Sequence, residues 1–156
     1  WDGGHREPFI ARWPGKIPAG TTNDEIICLT DLMATCAAIV GAKLPDNAAE
    51  DSFNILPAFS GQKLNKPIRD AIVHHSLSGM FAIRQGKWKL ILGLGSGGFT
   101  KPQKIKPKPG QPPGQLYNLE DDLAESNNLW SKHPEIVERL TKLLEKYKQQ
   151  GRTRPI

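Results

Sequence analysis

Apolar residues along the chain follow three rhythms, and each predicts a different element. From Leu32 to Val40 (LMATCAAIV) they run almost all round a helical wheel, which predicts a buried helix capped by Thr30 or Asp31 and ended at Gly41. Between residues 71 and 92 the rhythm shortens. Ala71–His75, Gly79–Arg84 and Lys87–Leu92 are β-rich runs, and Gln85-Gly86 supplies a tight hairpin turn. In the third run Lys87 and Lys89 alternate with Trp88 and Leu90, so one face is expected to be apolar and the other wet. Gln115–Leu119 adds a short strand, and an antiparallel sheet follows. Beyond Pro134, the positions Ile136, Leu140, Leu143, Leu144 and Tyr147 recur at helical spacing. Glu135 and Glu138 near the start and Lys146 and Lys148 near the end suit the helix dipole, and Gly151 closes a helix over about 134–150 that should lie across the sheet.

The stretches between these elements are of two kinds. Trp1–Gly15 (WDGGHREPFIARWPG) places a glycine bend before His5 and Arg6, then an apolar run from Pro8 to Trp13 that Pro14-Gly15 terminates, as for a short strand covered on both faces. The others are connections. Lys16–Asn23 is polar and turn-rich; Ile26–Leu29 is either a short strand or the approach to the first helix; 42–61 holds a short helical stretch near Phe53–Phe59. Residues 93–114 form a surface loop whose prolines and lysines cannot build a core, and Glu120–Asn128 is an acidic turn.

Composition narrows the classes. The 156 residues suffice for one ordinary core or two small subdomains, and 38% hydrophobic with 24% charged residues excludes a disordered or membrane chain. Nothing approaches the roughly 20 apolar residues of a spanning helix. The chain begins with Trp1 and with a turn that has no preceding element, which suggests a piece cut from a longer protein, so the compartment cannot be read. Two cysteines, Cys28 and Cys36, lie in apolar surroundings without a Cys-x-x-Cys spacing and read as buried free thiols. The net charge of +5 comes largely from the Lys/Pro loop and a frayed tail, so it describes flexible edges more than a shaped polyanion surface.

Two separated patterns resemble the sulfatase family. Gly3, Gly4, Arg6, Glu7, Pro8, Trp13, Pro14 and Gly15 match its Gly-Gly-x-Arg turn and the strand ending Trp-Pro-Gly, with Asp2 where Glu is expected. Ala82–Ile91 and Leu116–Leu129 are similar to its C-terminal subdomain, and Asp31, Leu32 and Thr35 to an L-x-D-L-x-x-T helix whose Asp and Thr are structural. The resemblance implies an alkaline-phosphatase-like α/β remnant over residues 1–66, the end of a catalytic domain. Residues 67–156 would then be an α+β subdomain, a small antiparallel sheet packed by a C-terminal helix. For the full-length protein it implies sulfate-ester hydrolysis with a formylglycine nucleophile and calcium, acting on a sulfated small molecule or sulfated polysaccharide, and a commonly exported (periplasmic, secreted or lysosomal) location. Neither nucleic acid nor membrane is an expected partner; the missing N-terminal part of its own domain is.

Within this chain the resemblance provides no catalytic or metal-binding residue. Cys28 is followed by Leu29-Thr30-Asp31 and Cys36 by Ala37-Ala38-Ile39, so neither fits the motif in which formylglycine is made, and the fragment alone should be inert, with no cofactor bound. The candidate substrate-binding residues are His75, His74 and His5. Adjacent strand residues point to opposite faces, so at most one of His74 and His75 faces a site, and the resemblance favours His75. A structural role remains open for both, and for His5 a role in the bend. Arg6 reads as a carboxylate-paired anchor, His133 as the start of the last helix, and Trp88 and Trp130 as packing anchors. Two alternatives stand beside the sulfatase reading. One is a basic module binding sulfated or phosphorylated polymers through Lys101–Lys108; the other is part of a phosphodiesterase or phosphonate hydrolase of the same superfamily.

Overall fold

The computed structural model describes residues 1–61 and 63–155. They form two compact units, Trp1–Glu7 with Ala71–Lys146, and Pro8–Asp70 with Tyr147–Ile156. Together they comprise the expected α/β remnant and the expected small antiparallel sheet with its helix.

The first unit is built on four short strands, β1 (Ile72–His75), β2 (Phe81–Gln85), β3 (Trp88–Ile91) and β4 (Gln115–Asn118), in the order β1-β2-β3-β4 with every neighbour antiparallel. Pairing of Gln85 with Trp88 makes Gly86-Lys87 the two-residue turn, one position later than expected, and Gly86 takes φ 55° at its first central position. The register puts Ile83, Leu90 and Leu116 side by side on one face, and all three are fully buried. The helix α2 (Pro134–Gln150) covers that face. Its Leu140 and Leu144 are equally buried, Arg139 donates a hydrogen bond to Gln85, and the His133 ring meets Trp88 at 5.1 Å. Each such side chain stabilises the fold by about 1.5–3 kcal/mol relative to exposure. The outer edge of β4 is sealed by Asn128, whose Oδ1 accepts from Leu116 N (3.0 Å) and whose Nδ2 donates to the Gly114 carbonyl (3.0 Å).

The other face is where the sequence reading fails. Lys89 is not on a wet surface; it is 1% exposed. Alternation correctly put it opposite Trp88 and Leu90, but that second face is covered as well, and there the Lys89 ammonium meets the carboxylates of Asp2 and Glu125.

The second unit is organised by α1 (Asp31–Ile39). Asp31 is fully buried and accepts hydrogen bonds from Cys28 N (2.7 Å), Phe53 N (2.9 Å) and the Arg69 guanidinium, which lies over the Phe53 ring at 4.6 Å. Thr35 donates to the Asp31 carbonyl (2.7 Å) and accepts from Ile55 N (3.1 Å), while Ser52 accepts from Ala34 N (2.8 Å). A short 3-10 helix follows at Leu56–Ser60. The structural roles expected of Asp31 and Thr35 are thus the observed ones. The helix itself is not buried all round. Leu32, Met33, Ile39 and Val40 are exposed, because only the stripe through Asp31, Ala34 and Thr35 meets the 52–55 segment. Cys36 is exposed and Cys28 half-buried; both are free thiols, but not the buried ones expected.

Two further expectations change. Pro8–Trp13 is not a strand, and Ile10 is 92% exposed; among the described residues no strand edge pairs with this run, and Phe9 instead stacks on Phe59 at 6.0 Å. The C-terminal tail is not frayed. Arg154 donates to the carbonyls of Pro45 (3.1 Å), Ala48 (2.8 Å) and Ala49 (3.1 Å), and Thr153 N donates to Asp51 (2.9 Å), so the tail is tied to the 45–51 loop by several hydrogen bonds.

Candidate functional site

The glycine bend at the start of the chain folds as a 3-10 turn, Asp2–Gly4, against the sheet face that carries His74, Arg84, Lys89, Gln115 and Tyr117. Hydrogen bonds from Gly4 N to the Trp1 carbonyl (3.2 Å) and from His5 N to the Asp2 carbonyl (2.8 Å) close the turn and drive the Asp2 side chain inward. Three cations converge on that carboxylate: Arg6 at 2.5 Å, Lys89 at 3.5 Å and Arg84 at 3.9 Å. Lys89 also pairs with Glu125 at 2.8 Å, and the Asp2 backbone N–H donates to the same Glu125 carboxylate. Arg6 is therefore the carboxylate-paired anchor of the turn.

The acidic turn is what delivers Glu125. Asp122 accepts from Ser126 N (3.0 Å) and Asn127 N (2.8 Å), Glu125 N donates to the Asp122 carbonyl (3.2 Å), and Glu125 takes φ 54°, a left-handed conformation costly for a side chain other than Gly or Asn. The buried ion pair offsets that cost. Sequence reasoning missed Glu125, Lys89 and Arg84 as partners. The available signal was a lysine at a strand position whose neighbours are core residues, together with an excess of nearby carboxylates.

Two of the three candidate histidines come together beside this cluster. The rings of His5 and His74 lie 4.2 Å apart at 40°. His75 points to the opposite face, is exposed, donates from Nδ1 to the Ser76 carbonyl at 3.0 Å and meets Phe81 edge-on at 6.1 Å. Burial, followed by the charges of His5 and Lys89, pushes His74 down to about 3. The His5 pKa is likewise lowered, by burial and then by Lys89. Burial alone would raise the Asp2 carboxyl; the Arg6 hydrogen bond and the charges of Lys89, Arg6 and Arg84 outweigh it and hold the pKa below the ordinary carboxylate value. At neutral pH both imidazoles are therefore uncharged, each with one donor and one acceptor nitrogen, against a wall of fixed cations. His74 Nε2 is buried with no hydrogen-bond partner among the described residues. An unpaired buried nitrogen costs about 1–3 kcal/mol and calls for an explanation. Tyr117 is pushed up to about 12 by burial and then by Glu125 and Asp122, so it stays protonated and donates to Gln115 Oε1 at 2.7 Å.

This chain is 34% identical, over 148 residues covering 95% of it, to an N-acetylgalactosamine-6-O-sulfatase of Bacteroides thetaiotaomicron. It belongs to the sulfatase family, within the alkaline phosphatase superfamily. The chain is also 31% identical over 164 residues to human arylsulfatase A, covering 92% of its own length. A solved structure from work on glycosaminoglycan metabolism by B. thetaiotaomicron superposes with a TM-score of 0.74 at 33% identity, covering 91% of this chain and 29% of that one. No family model matches the chain. The chain spans 28% of the length of its Bacteroides relative and 30% of that of arylsulfatase A.

Calcium does not fit the described residues. No three His, Cys, Asp or Glu side chains gather in a metal-holding group, and the buried carboxylates of Asp2, Glu125 and Asp31 are each engaged by the chain's own Lys or Arg.

Proposed function

We propose that this chain is the part of a sulfate-ester hydrolase that completes the fold and borders the substrate pocket, the whole protein removing sulfate from a sugar. The observation that carries the reading is the 34% identity, over nearly the full chain, to a relative named for N-acetylgalactosamine 6-O-sulfate. Chemistry in the whole protein would use the formylglycine nucleophile and calcium that the family resemblance implies, held by residues other than those of this chain. The task of this chain is positioning. The Asp2–Lys89–Glu125 cluster fixes the glycine bend on the sheet, and the bend sets His5 against His74.

Of the three histidines, the geometry favours His74 with His5 as the pair that faces substrate. A neutral imidazole with an unpaired nitrogen is suited to exchange a hydrogen bond with a sugar hydroxyl or sulfuryl oxygen; the chain itself covers His74 Nε2, so a ligand would satisfy it after a side-chain shift at the exposed His5 ring that packs on it. His75, exposed on the other face, would reach only a substrate that extends past the strand end. A commonly exported location follows for the whole protein from the same family reading.

The test compares the whole protein with the isolated 156-residue chain on an aryl sulfate. Sulfate release by the whole protein and none by the isolated chain is the expected result. Turnover by the isolated chain overturns the positioning role, and hydrolysis of phosphodiesters in preference to sulfate esters by the whole protein overturns the reaction class.

A further inference from the structure

We infer that the open cleft between the β1–β2 turn and residues 101–104 is an anion subsite for a sulfated polysaccharide. It would take a sulfate or carboxylate on a sugar other than the one being desulfated. The inference rests on the sulfated-sugar reading above and adds a second, separate contact to it.

The cleft encloses about 830 Å³ and is lined by Ser78, Lys101, Pro102, Gln103 and Lys104. Backbone hydrogen bonds hold its walls, although residues 101–110 are all exposed, as the Lys/Pro composition suggests. Ser96 N donates to the Pro102 carbonyl (3.0 Å), Gly97 N to that of Gln103 (2.9 Å) and Ile105 N to that of Leu94 (3.0 Å). Gly95, at φ 95°, lets the two segments close, since a Cβ there would meet the Gln103 carbonyl oxygen at 2.7 Å. On the opposite wall Ser78 Oγ donates to the Gly97 carbonyl at 3.3 Å. Both lysines therefore project from backbone that is already ordered, which lowers the entropy lost when an anion binds.

Charge supplies the second argument. No carboxylate lines the cleft, and among the described residues neither Lys101 nor Lys104 forms an ion pair, so two like charges share one concavity with nothing to neutralise them. Point-charge ammonium groups on flexible stems accept a sulfate in many orientations, which suits a repeating polymer more than a single rigid ligand. Phe99 is 89% exposed on the same loop and offers a bare aromatic surface to the C–H face of a sugar ring. A nucleic acid would instead call for a stripe of cations tracking its backbone, whereas of the four loop lysines only Lys101 and Lys104 line the cleft.

The test uses the whole protein and its Lys101→Ala/Lys104→Ala variant, with chondroitin 6-sulfate oligosaccharides and N-acetylgalactosamine 6-sulfate as probes. Both side chains are exposed, so the variant is expected to unfold with the parent. We expect about a tenfold loss of affinity for the oligosaccharide by calorimetry at physiological salt, about 1.4 kcal/mol. KM for the oligosaccharide should rise to match, with monosaccharide kcat/KM unchanged. Unchanged oligosaccharide affinity overturns the subsite, as does binding of single-stranded DNA as tight as that of the glycan. Absence of any sulfate release by the parent would sink the hydrolase reading alone, because the binding measurement still decides this one.

Discussion

The two units each bury a carboxylate against cations, yet they do so in opposite ways. In the second unit Asp31 is satisfied locally, by two backbone N–H groups and one guanidinium, and the result is a closed hub with no group left over apart from Arg69 Nε. In the first, Asp2 and Glu125 share Lys89 and are flanked by Arg6 and Arg84, and the neighbouring His74 is left buried, neutral and unpaired. Both clusters leave polar atoms without a hydrogen-bond partner among the described residues, Arg69 Nε in the second unit and His74 Nε2, Lys89 Nζ and Glu125 Oε1 in the first. Only the first leaves one on a neutral imidazole, and the site proposed above rests on that difference.

Mutations can break that contrast. Arg69→Met strands Asp31 in a dry interior, and breaking a buried pair from one side costs about 3–5 kcal/mol. Denaturant unfolding should show that loss; a change below about 1 kcal/mol would mean the two backbone donors suffice. Lys89→Met should cost less, since Asp2 keeps Arg6 and Arg84, and Glu125→Gln in the same background should recover part of the loss by removing the orphaned charge. Additive effects of the two substitutions would show that the cluster is not one unit.

A pH titration sharpens the comparison further. Folded His74 stays neutral down to about pH 3, whereas unfolded it takes up a proton below the ordinary histidine value of 6.5. The unfolded state binds more protons across that window, so stability falls as pH drops from 6.5 towards 3, by up to about 1.4 kcal/mol per pH unit from this one group. His5 and Asp2, both lowered, act in the same direction. His74→Phe should flatten the slope, and an unchanged slope would show that His74 is not held neutral. The smallest effect is expected at the exposed Lys142–Glu138 pair, where Lys142→Ala should leave the unfolding midpoint unmoved.

Much of this was legible in the sequence, for definite reasons. The strands at 72–75, 81–85, 88–91 and 115–118 and the helix from Pro134 follow from short-range periodicity and turn chemistry, which act within a few residues. What periodicity cannot report is what covers a face. Lys89 alternated as a surface residue should, and only Asp2 and Glu125, far away in sequence, make it a core one. For the same reason the apolar run at Leu32–Val40 did not reveal that one stripe alone is covered, and Pro8–Trp13 did not reveal that it lacks a paired edge. Alternation did separate His74 from His75, but the partner that distinguishes them, His5, comes from the opening bend.

Sulfate release from N-acetylgalactosamine 6-sulfate by the whole protein, with and without His74→Ala, tests the central claim most directly. The expected result is hydrolysis by the parent and, in the variant, a KM raised about tenfold or more, the loss of roughly one hydrogen bond to substrate. No release by the parent, or an unaltered KM in a folded variant, would contradict the account.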